Sequence, residues 1–130
     1  MSYRVLDPRN LRIDQVDLDA QRAVLHFQES NIEKIMDNAD QRTLWTQAGA
    51  IEMWTPKLSA DLPAPPFLIT HTDVEDGLYT QRDMMRIPLD VSGEIVLSLW
   101  FEGQDEPLRM EGSRMCLHLE GDPSYVRHVD

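Results

Sequence analysis

Glu94-Ile95-Val96-Leu97-Ser98-Leu99-Trp100-Phe101 decides the fold class of this chain. Apolar residues fall on both alternating sets of positions, the pattern of a central strand covered on two faces. Isoleucine, valine, tryptophan and phenylalanine favour a pleated backbone. The run is also far shorter than the ~20 residues of a membrane-spanning helix. Ser92-Gly93 precedes it and Gly103-Gln-Asp-Glu-Pro107 follows it, so a turn is expected at each end.

Working outward, Leu108 to Met110 reads as a short strand that ends before Glu111-Gly112. Arg114 to Glu120 then alternates, with Met115, Leu117 and Leu119 on one face and Cys116 and His118 on the other. Tyr125 to Val129 gives a last edge strand after Gly121-Asp-Pro123. On the upstream side, Phe67 to Val74 and Leu78 to Arg82 flank Glu75-Asp76-Gly77, where glycine can supply the positive φ of a tight hairpin. Met84 to Val91 makes one more strand. Pro56, Pro63, Pro65 and Pro66 fall in one stretch, which therefore reads as a surface crossover.

The N-terminal part begins with Leu11 to Leu18 and Ala23 to Phe27, which alternate around a polar break and fit a hairpin whose phase slips once near Gln15. Ser30-Asn-Ile-Glu33 has capping-box spacing, and Ile32, Ile35, Met36 and Ala39 follow at helical intervals. These predict one short helix near residues 31–39. Thr43 to Thr55 reads as two strands or one bent strand around Gly49. Strands and turn signals recurring at roughly 8–12 residues predict a mainly β, single-domain chain (1–130), an antiparallel β-sandwich or barrel of about 8–10 strands with that one helix.

Composition narrows the function classes. The chain has 130 residues, 42% apolar, which suffices for one core without staples. Its net charge of −11 argues against nucleic acid and against anionic membrane surfaces, and it favours a basic protein partner. One cysteine permits no internal disulfide, and the charged N-terminus does not read as a secretory signal, so the expectation is a cytoplasmic protein. No phosphate loop, dinucleotide fingerprint, nucleophile elbow or His-Glu-x-x-His motif occurs, and no cofactor is expected.

Candidate sites are correspondingly few. Cys116 and His118, two apart on one strand face, could share a ligand or ion, with His26 and His71 on other strands as further metal candidates. The plainer reading makes Cys116 a small packing residue and His118 part of a wet sheet face. Asp73-Val-Glu-Asp76-Gly77 lacks the length and flanking helices of a calcium loop, and a hairpin turn explains it. Asp14 and Asp17, three apart on a strand, do not make an acid–base pair. Trp45 and Trp54 are the best exposed-aromatic candidates, for a ligand or for a homodimer.

The function expected from sequence is a non-enzymatic binding or interaction module acting through a sheet face or edge on a protein partner, with Trp45, Trp54, Cys116 and His118 as binding positions. The alternative is a β-barrel that holds a small molecule or a metal, with or without catalysis, using His26, His71 and His118.

Overall fold

In a computed structural model, which describes residues 2–36 and 41–129, the chain forms twelve strands, all paired antiparallel. They are β1 (Tyr3–Asp7), β2 (Leu11–Ile13), β3 (Gln15–Leu18), β4 (Arg22–Phe27), β5 (Asn31–Ile35), β6 (Arg42–Trp54), β7 (Lys57–Leu58), β8 (Phe67–Glu75), β9 (Thr80–Arg82), β10 (Met85–Ile87), β11 (Asp90–Phe101) and β12 (Leu108–Val129). Eight of them follow one hydrogen-bonded path, β10-β1-β5-β6-β12-β11-β8-β2.

The path curls round on itself. Asp14 alone separates β2, which pairs with β8, from β3, which pairs with β4. Residues 11–18 therefore act as one bent strand that carries the sheet from β8 to β4, and β4 returns to β6. The Asp14 N–H donates to the His26 carbonyl at 2.8 Å across this bend. The hairpin expected here is formed by β3 and β4, its phase slip near Gln15 falls at Asp14, and the β2 extension makes it the seam of a barrel-like sheet. Upstream of this closed part, β10, β1 and β5 extend from the first half of β6 as an open lobe.

The core lies inside the curl. Ile95, Leu97, Leu99 and Phe101 of β11 point inward and are buried, together with Leu25, Ile51, Met53, Ile69 and Met115. On the outer side of β11, Ser98 is buried while Val96 and Trp100 are half-buried. The two-faced reading of this strand therefore holds in part. β11 is central in the sheet, between β8 and β12, but only its inner face is sealed.

The helix expected near residues 31–39 is not formed over its first half, and residues 37–40 lie outside the described part. Residues 31–35 are β5, bonded to β1 on one edge and to β6 on the other. A helix of two turns is marginal by itself, whereas the strand satisfies its backbone on both sides and buries Ile32 at 1% exposure. The Ser30 hydroxyl, read as a cap, instead donates to the Gln47 carbonyl at 2.8 Å.

Glycines read as turns prove to be irregularities within long strands. Ser92-Gly93 marks a register shift inside β11, and Gly121-Asp-Pro123 marks one inside the 22-residue β12. Gly112 lies in uninterrupted β12, where a Cβ would strike Met53 and the Trp54 carbonyl. Gly49 is similar: β6 is one 13-residue strand, and a Cβ there would run into the His118 carbonyl and the Phe27 ring.

Two substitutions test this packing. Leu99→Ala should cost about 2–5 kcal/mol in chemical denaturation, as truncation of a fully buried leucine does. Gly49→Ala, although it raises strand propensity, should also lower the melting temperature. A Gly49→Ala protein as stable as the parent would show that β6 and β12 do not approach so closely.

Candidate functional site

Directly opposed residues of paired strands share a face, so the registers state which side chains meet. On the outer face, Val24, Glu52, Cys116 and Asp90 form one row across β4, β6, β12 and β11. Arg22, Trp54, Arg114 and Ser92 form the next row, and His26, Ala50 and His118 lie in the row on the other side. Trp54, Cys116 and His118, three of the positions expected from sequence, are thus neighbours.

The charges of this face neutralise each other. Glu52, only 8% exposed, accepts hydrogen bonds from Arg22 Nη1 at 3.0 Å and from His118 Nε2 at 2.7 Å. Such pairing is what allows a carboxylate to be buried. Arg114 donates Nε and Nη2 to the two oxygens of Asp90 at 2.9 and 2.7 Å and lies over the Trp54 ring at 4.6 Å. His26 Nε2 meets Asp17 Oδ2 at 2.8 Å.

Cys116, His118 and Glu52 are the residue types of a nucleophile, a base and an orienting acid. The cysteine does not fit that role. Burial pushes its thiol pKa up, and a hydrogen bond with the Asp90 carboxylate pushes it the same way, so the group stays a thiol. Packing and support of Asp90 account for it.

The histidines do not gather. His26 and His118 flank Ala50 on the outer face, each bound to its own carboxylate. His71 lies on β8 opposite Trp100, with its Nδ1 at 3.2 Å from Asp83 Oδ1. Trp100 is ten positions along β11 from Asp90, a run of roughly 33 Å at strand rise. Among the described residues no group of three or more His, Cys, Asp or Glu side chains is arranged to hold a metal ion.

Trp45 belongs elsewhere. It stands nine positions before Trp54 on β6, so regular pleating puts the two on opposite faces. Trp45 faces inward at the open lobe, opposite Ile32 of β5 and Tyr125 of β12. Its indole N–H donates to Thr43 Oγ1 at 2.9 Å, and its ring meets Tyr125 edge to face at 5.3 Å. The indole is therefore fixed in orientation.

Beside it is a cavity of about 360 Å³. Trp45, Ile32 and Ile87 give it an apolar wall, Arg4 and Lys34 give it charge, and Gln47 and Pro123 lie at its inner end. Larger hollows exist, but they are differently built. One of about 480 Å³ is lined by Arg9 and Arg12, already bonded to Asp7 and Asp14. Another, of about 430 Å³, is an open groove over the irregular part of β11 at Gly93.

Sequence reasoning found Trp45 but missed Arg4, Lys34 and Gln47. Their juxtaposition depends on the β1–β5–β6 registers, and Lys34 falls within the helix that the sequence predicts. Comparison with protein-family models, with characterised proteins and with solved structures finds no match.

The outer-face pairs generate a prediction about pH. Asp90 is held well below the usual carboxylate range by its bond to Arg114 first and by the Cys116 thiol second, and Asp17 is lowered mainly by His26. As pH falls, the unfolded chain, whose Asp pKa is about 3.9, takes up these protons before the folded chain does. Their stabilisation is full above that value and disappears as pH drops through the lower folded-state values. The melting temperature should therefore fall below about pH 4, and Arg114→Gln should flatten that fall while lowering stability at neutral pH. An acid limb equally steep in the variant would show that Arg114 does not hold Asp90.

Proposed function

We propose that the protein is a non-enzymatic binding module whose receptor surface is the inner sheet face of the open lobe, around Trp45. One observation carries this reading: an indole fixed in place borders a cavity with two cations that have no carboxylate partner among the described residues. Arg9, Arg12, Arg22, Arg42, Arg82 and Arg114 are each tied to an acid of this chain, whereas Lys57, Arg86, Arg109 and Arg127, like Arg4 and Lys34, have no acid partner among the described residues; of these only Arg4 and Lys34 line the cavity beside the fixed indole. Partly apolar concavities with a few converging polar groups are where small ligands and side chains bind.

A sheet face fits better than a sheet edge. Beyond Leu117, whose N–H reaches the Leu89 carbonyl, the β11 side of β12 has no strand partner among the described residues. Yet that stretch contains Pro123, two register shifts and the charges of Glu120, Asp122 and Arg127. These are the devices by which sheets blunt an edge against further pairing.

A second reading keeps the basic protein partner. Glu102, Asp105 and Glu106 are exposed on the turn after β11 and have no cation partner among the described residues. A surface of this kind speeds association with a basic partner and does so less as salt rises.

The two readings separate in one experiment. A panel of small aromatic acids, aromatic amines and basic peptides is scored by thermal shift against the parent, Trp45→Ala, Trp54→Ala and Glu102→Gln/Asp105→Asn/Glu106→Gln proteins. At a hundredfold excess over Kd, a ligand of the folded state adds about 2.7 kcal/mol. The expected result is a shift by small molecules that Trp45→Ala abolishes and Trp54→Ala retains. Shifts confined to basic peptides and lost in the triple variant would replace this reading with the second one.

A further inference from the structure

Resting on the reading of the Trp45 cavity as a binding site, we propose its ligand class: a small flat anion, one ring in size, that carries a hydrogen-bond donor at the end opposite its charge. The acid group lies between Arg4 and Lys34, the ring against Trp45, and the donor on Gln47 Oε1.

The cations supply the first argument. Arg4 of β1 and Lys34 of β5 are direct cross-strand partners. Opposed residues have Cβ atoms about 4.5–5.5 Å apart, and like charges in that position repel. Continuing the same row, Thr43 follows on β6 and His128 on β12, so no acid lies on it between Ile87 and His128. In a chain of net charge −11, two cations that face each other with no acid partner among the described residues are a cost that an anion between them removes.

Gln47 supplies the second. Its Nε2 donates to the Gly121 carbonyl at 2.7 Å, and only the amide nitrogen can make that bond, so the positions of oxygen and nitrogen are fixed. The side-chain oxygen is then left buried with no donor among the described residues. An unpaired buried acceptor is unfavourable, and it repels a second acceptor such as a carboxylate. The group that meets Gln47 must therefore carry an O–H or N–H, while the group between the cations must be negative.

Spacing sets the size. Gln47 and Thr43, which marks the cation row on β6, are four positions apart with Trp45 between them. That is roughly 13 Å of strand, a span comparable to one para-substituted ring with a hydrogen bond at each end. A cavity of about 360 Å³ lies near the lower end of the range for ligand sites, ~300–1,000 Å³.

Isothermal titration of the full chain with three probes tests this. 4-Hydroxyphenylacetate has the acid, the ring and the donor; phenylacetate lacks the donor; tyramine has the donor but a positive charge. The hydroxy acid should bind, the loss of the hydroxyl should weaken binding about 2- to 10-fold, and Lys34→Met should weaken it about tenfold or more. Gln47→Met should erase the difference between the two acids. The ligand-free Lys34→Met protein should also melt higher than the parent, because it relieves the opposed charges. Equal binding of both acids, or a Lys34→Met protein that binds normally or melts lower, overturns the assignment. Tyramine binding that depends on Trp45 overturns the anion while leaving the cavity as a site. No binding by any probe, and no thermal shift that depends on Trp45, removes the cavity reading itself.

Discussion

β6 has two edges and three neighbours, and the rest of the sheet is arranged around that mismatch. β12 runs along one edge from Arg42 to Trp54, while β5 and β4 divide the other between them, β5 as far as Thr46 and β4 from Gly49. Gln47 and Ala48 fall at the hand-over, where the backbone is out of reach of both strands. A buried carbonyl without a donor there would cost about 1–3 kcal/mol. The Ser30 hydroxyl, buried in the connection between β4 and β5, supplies the donor to Gln47. On the far edge the register of β12 shifts between Glu120 and Ser124, and the Gln47 side chain bridges the irregularity through Gly121. The barrel-like part and the open lobe meet at this point, and the cavity lies where they part.

The two sides of the sheet treat charge in opposite ways. On the outer face, Glu52 has two donors, Asp90 has a two-point arginine, and His26 and His118 each have an acid. Each group is satisfied within the molecule, and the face needs no partner to be stable. Apart from those of the buried Glu52, exposed pairs of this kind add little to folding, but they leave few free charges on this face to recruit anything. At the open lobe Arg4 faces Lys34, and Gln47 keeps an acceptor with no donor among the described residues.

The sequence was legible where burial alternates with period two and illegible where pairing is non-local. Ile95, Leu97, Leu99 and Phe101 declare an inner face by themselves, and Met115 with Cys116 shows both a core position and a small residue packed on the outer side. A glycine, however, looks the same in a turn and in a strand too closely approached to accept a Cβ. Gly112 lies in a strand because it pairs with Ile95 of β11, and it is glycine because Met53 and the Trp54 carbonyl leave no room for a Cβ; none of these is adjacent in sequence. Residues 31–35 carry a helical stripe and a good cap, and two flanking strands override both. The candidate residues divide in the same way. Trp54, Cys116 and His118 share a face through the single β6–β12 register, whereas the grouping of Arg4, Lys34 and Gln47 needs two registers across three strands.

Isolated violations of local rules occur in any fold, and one of them proves little. Thr72 Oγ1, on β8, is also buried without a partner among the described residues, and it stands apart from the open lobe. What distinguishes the Trp45 cavity is that several violations coincide there: opposed cations, an unused buried acceptor, and a fixed indole beside open space. A core free to optimise stability alone would replace Lys34 with an acid or an apolar residue and would turn Gln47 into a side chain with both ends satisfied. Sequences tend to be locally consistent except where function sets another requirement. Because strands rather than loops carry these groups, their spacing is fixed by the sheet itself, the rigid support that binding and catalytic constellations alike require.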